Sequence, residues 1–305
     1  MNESPSAPAS LEPTAPVRVL VTGAHGQLGH RLQAVARRRN DVEVVALGRE
    51  AMDICRPASI HEALDRHRPH AVINAAAYTA VDRAETEEAL AHEVNAVGPG
   101  ALADACAARG VALVHVSTDY VFGSAPHRPL KPGDPVGPLG AYGRTKLEGE
   151  RRVLASNARV AVVRVSWLYD AKGHNFLNTM VRLATERGAL KVVNDQQGIP
   201  TAAPVLAEAL LDLAARGQAL PQGVWHFAHE GQTTWHGFAV EIMRLAGLEV
   251  PVEPVPTSAF PTPAVRPSWS VLDGTALREA MGWPAVHWKD ALEMTWRLRK
   301  EGGDA

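Results

Sequence analysis

The sequence predicts an α/β fold, a Rossmann-like doubly wound parallel sheet joined to a smaller C-terminal lobe of mixed α/β structure. The first observation is order: short, β-branched apolar runs alternate with helical patterns through the first half of the chain, as in right-handed βαβ units. The second is burial: these runs are continuously apolar instead of alternating, which is typical of strands covered on both faces.

Five strands and four helices are expected in this half. The strand candidates are VRVLVTG (17–23), VEVVALG (42–48), HAVINAAA (70–77), VALVHVS (111–117) and ARVAVVRVS (158–166). Three helix candidates lie between them: GQLGHRLQAVARRR, PASIHEALDRHR and EEALAHEVNAVGPGALADACAARG. A fourth helix contains AYGRTKLEGE (141–150) and follows a Pro/Gly loop that would end any earlier element.

After about residue 170 the pattern changes. The helical segments NFLNTMVRLATERG, APVLAEALLDLAARG and TTWHGFAVEIMRLAG are separated by Pro-rich irregular stretches. We therefore expect a Rossmann domain over residues 17–170 and, over residues 171–305, mainly a substrate-binding lobe with some segments returning to the first domain. Residues 1–16, rich in Ser, Pro and Ala, are expected to form a disordered tail.

Composition indicates an ordinary globular protein. Of 305 residues, 46% are hydrophobic and 21% are charged, enough for a substantial core. The formal net charge of −2 gives no reason to expect nucleic acid or a membrane surface as a partner. There is no apolar run of about 18 residues and no signal-peptide pattern. Cys55 and Cys106 form no motif, so we expect a cytoplasmic protein without a metal site.

A glycine loop marks the start of the first domain. GAHGQLG places Gly23, Gly26 and Gly29 in a GxxGxxG array, directly after the first strand and opening a helix. Glycines there permit a tight turn and close approach of the backbone to a pyrophosphate, and the helix N-terminus favours phosphate. The loop predicts that residues 17–170 form an NAD(P)-binding domain.

The end of the second strand bears on the choice of cofactor. NAD-preferring sites usually place an acid there for the ribose 2′-hydroxyl, but the sequence ALGRE has Gly48 at that point, followed by Arg49. A guanidinium can pair with a 2′-phosphate, so NADPH is favoured over NADH; a solvated arginine beside Glu50 is the alternative. Asp53 is a candidate for the adenine edge, with a surface turn acid as its alternative.

The stretch AYGRTKLEGE places Tyr142 and Lys146 four residues apart, on one face of a helix. A free tyrosine titrates near ~10, too high for efficient proton exchange at neutral pH. A lysine charge within about 4–6 Å, with the oxidised nicotinamide also nearby, favours tyrosinate, so we expect a lowered pKa for Tyr142. Thr118, at the end of the fourth strand, reaches the same cleft and would hydrogen-bond a substrate oxygen. Together the three residues predict a carbonyl reductase, in which Tyr142 donates the proton.

Seven segments carry a resemblance to a known family: TGAHGQLG, VINAAAYTAVDRAE, VHVSTDYVFG, YGRTK, RVSWLYDAKGHNF, NDQQGIPT and PTPAVRPSWSVLD. Together they resemble the dTDP-4-dehydrorhamnose reductase family, part of the extended short-chain dehydrogenase/reductase superfamily. The likeness runs from about Val17 to near Trp296. GxxGxxG and YxxxK are specific only to the superfamily, whereas STDYVF, GHNF and NDQQGIPT are closer to the reductases.

The resemblance implies reduction of the 4-keto group of dTDP-4-dehydro-β-L-rhamnose, the last step of dTDP-rhamnose biosynthesis. It implies Tyr142 as proton donor and Lys146 as its partner on the nicotinamide ribose. It also implies residues for the cofactor phosphates (Gly26, Gln27, Leu28), the adenine (Asp53, Ile54), the cofactor groove (Ala77, Tyr78, Thr79) and the sugar (Thr118, Asp119, Trp167), with Asn175 and Arg266 facing the nucleotide or its diphosphate.

Two departures from the family pattern matter. Some relatives carry an acid near Gly48, so use of NADH beside NADPH stays open. Arg31, just past the glycine loop, replaces a carboxylate found in some relatives, so no metal is expected there. A homodimer is an expectation at the level of the family only.

Two rival functions remain compatible with these motifs. One is an epimerase, or a reductase of another keto sugar, within the same superfamily; an epimerase would show no net consumption of cofactor. The other is a non-catalytic NADP-binding partner protein, similar to the regulatory β subunit of methionine adenosyltransferase. A stable complex with a synthetase subunit, and no turnover of a keto-sugar nucleotide, would favour the second.

Overall fold

The computed structural model describes residues 15–123 and 127–302. The predicted disordered tail lies outside the described residues apart from its last two positions. The strands are β1 (Val17–Thr22), β2 (Val42–Leu47), β3 (Ala71–Asn74), β4 (Ala112–Thr118), β5 (Val160–Val165), β6 (Leu168–Tyr169), β7 (Leu190–Val193), β8 (Gln197–Gly198), β9 (Thr201–Ala202), β10 (Gly223–His226), β11 (Thr233–Thr234) and β12 (Val252–Val255).

The helices complete the alternation that the sequence predicts. They are α1 (Gln27–Ala36), α2 (Pro57–His67), α3 (Val81–Ala84), α4 (Glu88–His92), α5 (Gly98–Ala107), α6 (Ala141–Ala155), α7 (Phe176–Arg187), α8 (Ala203–Ala215), α9 (Trp235–Ala246), α10 (Thr275–Met281) and α11 (Trp288–Lys300). A π-helical turn, Glu93–Val97, joins α4 to α5. None of the described helices has both the length and the apolarity needed to cross a bilayer.

The main sheet has six parallel strands in the order β10-β5-β4-β3-β1-β2. All five predicted strands are in it, which confirms the Rossmann-like parallel sheet, and the sixth strand comes from the C-terminal half. The chain runs outward from β1 to β2 and then returns to the other side of β1 at β3. In open parallel sheets, ligands bind beyond the carboxyl ends of the strands at such a switch point.

Helices cover both faces of this sheet, as the continuously apolar strands require. On one face, α1 and α8 pack on residues such as Val19 and Val21. On the other, α2, α5 and α6 cover Leu20, which points the opposite way. A second apolar cluster, built on α7, α9 and α11 with β7 nearby, lies in the C-terminal half. The division into two domains near residue 170 stays a prediction.

Candidate active site

The glycine loop lies at the switch point, between the end of β1 and the start of α1. Gly23 has φ +71°, and a Cβ there would come 2.9 Å from the Ala76 backbone, so the loop needs glycine to pass this close to the segment after β3. Gly26 is the N-cap of α1, and no side chain of the described residues caps that end. The first N–H groups of α1, at Gln27 and Leu28, therefore form an open anion-binding site that fits the phosphates of a dinucleotide.

Substitution of Gly29 by Ala tests the close packing of α1 against the glycine loop. A Cβ at Gly29 would lie 2.2 Å from the Gly23 carbonyl oxygen and 2.9 Å from the Ala24 backbone, so α1 has to move away from the loop. We expect the Gly29→Ala variant to lose about 1–3 kcal/mol of stability, as overpacked sites do, and to bind NADPH more weakly in calorimetry. Gly133→Ala is the control, because a Cβ there has no described neighbour within 4 Å. Equal melting temperatures and affinities for both variants would contradict the close approach.

The end of β2 presents the residues predicted for the adenosine. The Arg49 side chain is 74% exposed, and its Nε lies 3.3 Å from Asp53 Oδ2, so the guanidinium stands at the surface. Glu50, the neighbour that the alternative interpretation pairs with Arg49, instead contacts His25 at 3.0 Å. Ile54 is buried in the apolar cluster that α2, α5 and α6 form on one face of the sheet. These positions are compatible with a nucleotide lying over the end of β2.

The segment Ala77–Tyr78–Thr79 follows β3 on the other side of the switch point. Its backbone is held by one side chain: Tyr78 N–H donates to Asn95 Oδ1 (2.8 Å) and Asn95 Nδ2 donates to the Tyr78 carbonyl (3.1 Å). Asn95 lies in the π-helical turn and also donates to Thr145 Oγ1 of α6 (3.2 Å). The segment after β3 is therefore fixed relative to the helix that carries Tyr142 and Lys146.

Helix α6 brings Tyr142 and Lys146 to the carboxyl edge of β4. The Lys146 side chain is buried, and its Nζ donates to the Val116 carbonyl at 2.7 Å. Burial lowers the pKa of Lys146 to about 8, and the Glu150 carboxylate one turn later on α6 partly offsets that shift. The ammonium is thus the main form at neutral pH and is lost as the pH rises through about 8.

The predicted lowering of the Tyr142 pKa is wrong for the protein alone. Burial raises the pKa of Tyr142 to about 12; the neighbouring Thr118 hydroxyl lowers this pKa but is the weaker effect, and the nearby Asp119 raises it further. The Lys146 ammonium is not among the causes of this shift; its Nζ donates to the Val116 carbonyl of β4. The spacing of Tyr142 and Lys146 places them on one face of the helix, but spacing does not show how deeply that face is buried.

Thr118 and Asp119 end β4 and start a short turn beside Tyr142. Thr118 Oγ1 donates to Asp119 Oδ1 at 3.0 Å and accepts from the Tyr120 N–H at 3.2 Å. The rings of Tyr120 and Tyr142 meet edge to face, with centroids 5.5 Å apart. The three residues predicted to perform the chemistry, Thr118, Tyr142 and Lys146, are therefore brought together at one edge of the sheet.

A groove of about 670 Å³ lies in the C-terminal half of the chain. Trp167, predicted to wall the sugar pocket, has φ +47°, which is rare for a residue with a Cβ. Its indole stacks on Trp235 with centroids 3.7 Å apart. A Cβ on Gly198 would fall 2.5 Å from the Trp167 ring. Trp167 is thus held in one orientation, and Trp235 forms part of the groove wall, together with Phe176, Gln196, Thr257, Phe260 and Arg266.

The two residues predicted to face the nucleotide or its diphosphate both have partners within the fold, and their contacts with a nucleotide stay predictions. Asn175 is the N-cap of α7: its Oδ1 accepts from the Asn178 N–H, and its Nδ2 donates to the Asp170 and Lys172 carbonyls. Its amide is used inside the fold, so it is not a free contact for a diphosphate. Arg266 does line the groove, but its guanidinium makes a bidentate pair with Asp82 (2.9 and 2.7 Å).

Arg31 likewise has a structural partner. Its guanidinium pairs with Asp170 at 3.1 and 2.7 Å, and both side chains are buried. The pair joins α1, immediately after the glycine loop, to the segment that leads into α7. A buried pair in this arrangement fixes the two halves of the chain to one another at the site.

Sequence reasoning missed several residues at the site. Trp235 and Gln196 line the groove, and Trp235 Nε1 donates to Gln196 Oε1 at 3.1 Å. Asp82, the partner of Arg266, stands inside VINAAAYTAVDRAE, and Gln196 inside NDQQGIPT, so both were within quoted motifs without being singled out. Trp235 stands in the predicted helical segment TTWHGFAVEIMRLAG, and nothing in that segment indicated a residue of the site.

Comparison with known proteins finds similarity along nearly the whole chain. The family model of the RmlD substrate binding domain matches residues 17–299. A dTDP-4-dehydrorhamnose reductase of Streptomyces griseus is 44% identical over 286 residues, covering 92% of this chain and 94% of the relative. A probable dTDP-4,6-dihydroxy-2-methyloxan-3-one 4-ketoreductase of Streptomyces antibioticus is 40% identical and covers 90% and 93%.

A solved structure shows the same fold. The dTDP-4-dehydrorhamnose reductase of Bacillus anthracis, crystallised in complex with NADP, is 34% identical to this chain and superposes with a TM-score of 0.87. The match covers 92% of this chain and 99% of the other. The likeness therefore includes the glycine loop, the edge of the sheet with Tyr142 and the C-terminal groove.

Proposed function

The chain belongs to the RmlD family of dTDP-4-dehydrorhamnose reductases, and from this premise we propose that it reduces the 4-keto group of dTDP-4-dehydro-β-L-rhamnose to give dTDP-β-L-rhamnose. This is the last step in the synthesis of the activated sugar. The observation that carries the proposal is the meeting of Thr118, Tyr142 and Lys146 at the carboxyl edge of β4, next to the glycine loop at the switch point.

NADPH is the proposed reductant, and when bound it supplies the hydride. The open N-terminus of α1 and the glycine loop fit its pyrophosphate. The segment after β3, fixed by Asn95, forms the other side of the cofactor groove. Lys146 presents its ammonium to the same edge of the sheet, where it favours negative charge on neighbouring oxygens.

Tyr142 has the role of general acid. As negative charge develops on the C4 oxygen of the sugar, the Tyr142 hydroxyl donates its proton to that oxygen. Thr118 lies beside Tyr142, and its one hydroxyl proton can turn from Asp119 to the same substrate oxygen when the substrate binds. A phenol with a pKa near 12 keeps its proton until the alkoxide, a stronger base, forms beside it. The raised pKa is thus compatible with donation, although it is the opposite of the shift that the sequence predicted.

The groove beside Trp167 is the proposed site of the nucleotide. Phe176 and Trp235 offer aromatic faces to a base. Arg266 offers a guanidinium that suits a diphosphate, in competition with Asp82. Arg266 lines the groove, and Tyr120, on whose pKa its charge acts, packs edge to face on Tyr142, so the proposed ligand extends from the groove towards the sheet edge. This span matches a sugar linked to a nucleoside diphosphate.

The assay follows absorbance at the reduced-nicotinamide band with freshly generated dTDP-4-dehydro-β-L-rhamnose, with NADPH and NADH in parallel reactions. Stoichiometric consumption of reduced cofactor is expected. Cofactor that is bound but not consumed would favour an epimerase. The absence of turnover with either cofactor, together with a stable complex with a partner protein, would favour the non-catalytic alternative.

Arg49→Ala tests the choice of cofactor. Since the exposed guanidinium at the end of β2 is the group proposed to pair with the 2′-phosphate, we expect the Kd for NADPH to rise by about 10-fold, the contribution of one or two charge-assisted hydrogen bonds. The Kd for NADH should change little. Arg66→Ala, which removes an exposed arginine of α2 paired only with Glu62, is the charge-matched control. Equal weakening of NADPH and NADH by Arg49→Ala would refute the assignment.

A second candidate function is reduction of a different dTDP-linked keto sugar. It is favoured by the 40% identity to the 4-ketoreductase of Streptomyces antibioticus. The fold, the acid and the cofactor would be the same, and only the sugar would differ. Comparison of kcat/KM for the two keto sugars under the same conditions decides between them.

A further inference from the structure

Two side chains of opposite character meet over the end of β2, where the adenosine of a dinucleotide is expected. His25 belongs to the glycine loop and Glu50 to the turn after β2. Because a carboxylate can only accept, His25 Nε2 is the donor in the hydrogen bond to Glu50 Oε1 at 3.0 Å. The Ala24 N–H donates to the Leu47 carbonyl at 3.1 Å, which holds the loop against the strand end. The pair therefore joins two segments that flank the proposed cofactor site.

The turn after β2 brings the Glu50 carboxylate back over Gly48. The N–H groups of Ala51 and Met52 donate to the Gly48 carbonyl at 3.1 and 2.9 Å, which closes the turn. A Cβ built on Gly48 would lie 2.3 and 2.6 Å from the two carboxylate oxygens of Glu50. In an aspartate these oxygens lie about 2.4 Å from their own Cβ, as standard C–C and C–O bond lengths give. Glu50 thus places a carboxylate in the space that an acidic side chain at position 48 would use.

This space matters because NAD-preferring sites carry an acid at the end of the second strand, where it binds the ribose hydroxyl. The sequence has glycine at that point, and Glu50 supplies a carboxylate there from two residues further along the chain. The hydrogen bond from His25 holds the pKa of Glu50 below its usual value, so the carboxylate is ionised at neutral pH. A carboxylate has about four lone-pair sites, and the bond from His25 leaves others for a ribose.

Arg49, on the same turn, carries the opposite charge. Its side chain is 74% exposed, and its Nε lies 3.3 Å from Asp53 Oδ2. A guanidinium suits a 2′-phosphate, which the Glu50 carboxylate repels, whereas a carboxylate suits a 2′-hydroxyl. One turn therefore carries a group for each of the two forms of the adenosine ribose.

We propose that Glu50 is a cofactor-binding residue that accepts a hydrogen bond from the adenosine ribose, and that His25 positions it. The consequence is a site that takes NADH as well as NADPH, in which Glu50 favours NADH and Arg49 favours NADPH. This inference rests on the proposed function only in that the chain binds a nicotinamide dinucleotide at the glycine loop.

Calorimetric titration of the full chain with NADH and with NADPH, without sugar substrate, tests this assignment. Glu50→Gln keeps the size of the side chain and removes its charge. We expect the Kd for NADH to rise by about 10-fold, the contribution of a charge-assisted hydrogen bond to the ribose. The Kd for NADPH should fall, because a like charge beside the 2′-phosphate is gone. Equal weakening of both cofactors, or no change in either, would overturn the proposal.

Glu43→Gln is the matched control. Glu43 is likewise an exposed glutamate in an ion pair, with Arg18 at 3.1 Å, but it lies near the start of β2, at the other end of the strand from the site. Both Kd values should stay at those of the wild type. The Tm of Glu50→Gln should also stay close to that of the wild type, because an exposed ion pair contributes little to stability. The same shift in affinity for Glu43→Gln would contradict a local role of Glu50.

Two substitutions test the role of His25. His25→Gln keeps a side-chain donor and should preserve the wild-type ratio of the two Kd values, whereas His25→Ala releases Glu50 and should raise the Kd for NADH. In the Glu50→Gln background, His25→Ala should change the ratio much less, because the charged group that it positions is gone. Fully additive effects of the two substitutions would contradict the positioning role.

The 2′-deoxyadenosine analogue of NADH isolates the contact with the ribose. The wild type should bind this analogue more weakly than NADH, and Glu50→Gln should discriminate less between the two ligands. Equal binding of both ligands by the wild type would overturn the contact of Glu50 with the 2′-hydroxyl. If the wild type binds neither NADH nor NADPH, the proposed function fails as well, so the two failures are distinct.

Discussion

Tyr142→Phe lowers kcat by about 10²–10⁴-fold, the usual loss when a general acid is removed. The ring stays in place because its contacts are apolar or aromatic, including the edge-to-face pair with Tyr120. Only the hydroxyl beside Thr118 is lost. The Kd for NADPH, measured by fluorescence, should therefore stay close to that of the wild type while the chemical step slows.

The neighbouring tyrosine provides the control. Tyr120→Phe removes a hydroxyl from the other ring of the pair without removing the proton donor, and the turn hydrogen bond from the Tyr120 N–H to Thr118 is made by the backbone. Its effect on kcat should be small beside that of Tyr142→Phe. Near-full activity of Tyr142→Phe would remove the proposed mechanism.

Glu150→Ala has the largest expected effect on stability. Glu150 lies one turn after Lys146 on α6 and pairs with Arg164 of β5 at 2.9 and 2.7 Å, both side chains being almost fully buried. It also accepts from Ser117 Oγ at 2.5 Å. Removal of one partner leaves a buried charge uncompensated, which costs about 3–5 kcal/mol. Thermal melting should show a fall in Tm on the order of 10 °C.

The matched control lies on the same helix. Glu148 pairs with Arg152 at 3.0 Å, but both side chains are substantially exposed, and exposed pairs contribute about 0–1 kcal/mol. Glu148→Ala should therefore leave the Tm nearly unchanged. A similar fall in Tm for both variants would show that α6 is sensitive to any substitution. It would contradict the expected contribution of the buried Glu150–Arg164 pair to stability.

Glu150→Ala should also change the protonation of Lys146 in the active site. The Glu150 carboxylate counteracts the lowering of the Lys146 pKa by burial. Its removal leaves burial unopposed, so less of the ammonium is present at neutral pH. In the folded variant, activity that depends on this ammonium should decline at a lower pH than in the wild type.

The parts of the structure that depend on local sequence were predictable. The glycine loop is followed by α1, and all five expected strands entered the sheet within a few residues of their predicted ends. Tyr142 and Lys146 share a face because the helical period fixes their spacing. These features follow from periodicity and turn chemistry, which neighbouring residues determine.

The parts that depend on distant residues were not predictable. Arg266 pairs with Asp82 across 184 positions of the chain, and Trp167, between β5 and β6, stacks on Trp235 at the start of α9. Asn175 caps α7 where the predicted helical segment begins, but the Asp170 and Lys172 carbonyls that its amide binds are positioned by the folded loop. The shift of the Tyr142 pKa had the wrong sign because burial, the largest contribution, comes from how elements pack and not from spacing.

The destination of the hydride tests the central claim most directly. The reaction is run with NADPH that carries deuterium at the transferred position of the nicotinamide, and the sugar nucleotide is examined by NMR. One deuterium at C4 of the product rhamnose, equal in amount to the cofactor oxidised, is the predicted result. Cofactor oxidation without deuterium at C4, or product formed without cofactor oxidation, would contradict a 4-keto reductase.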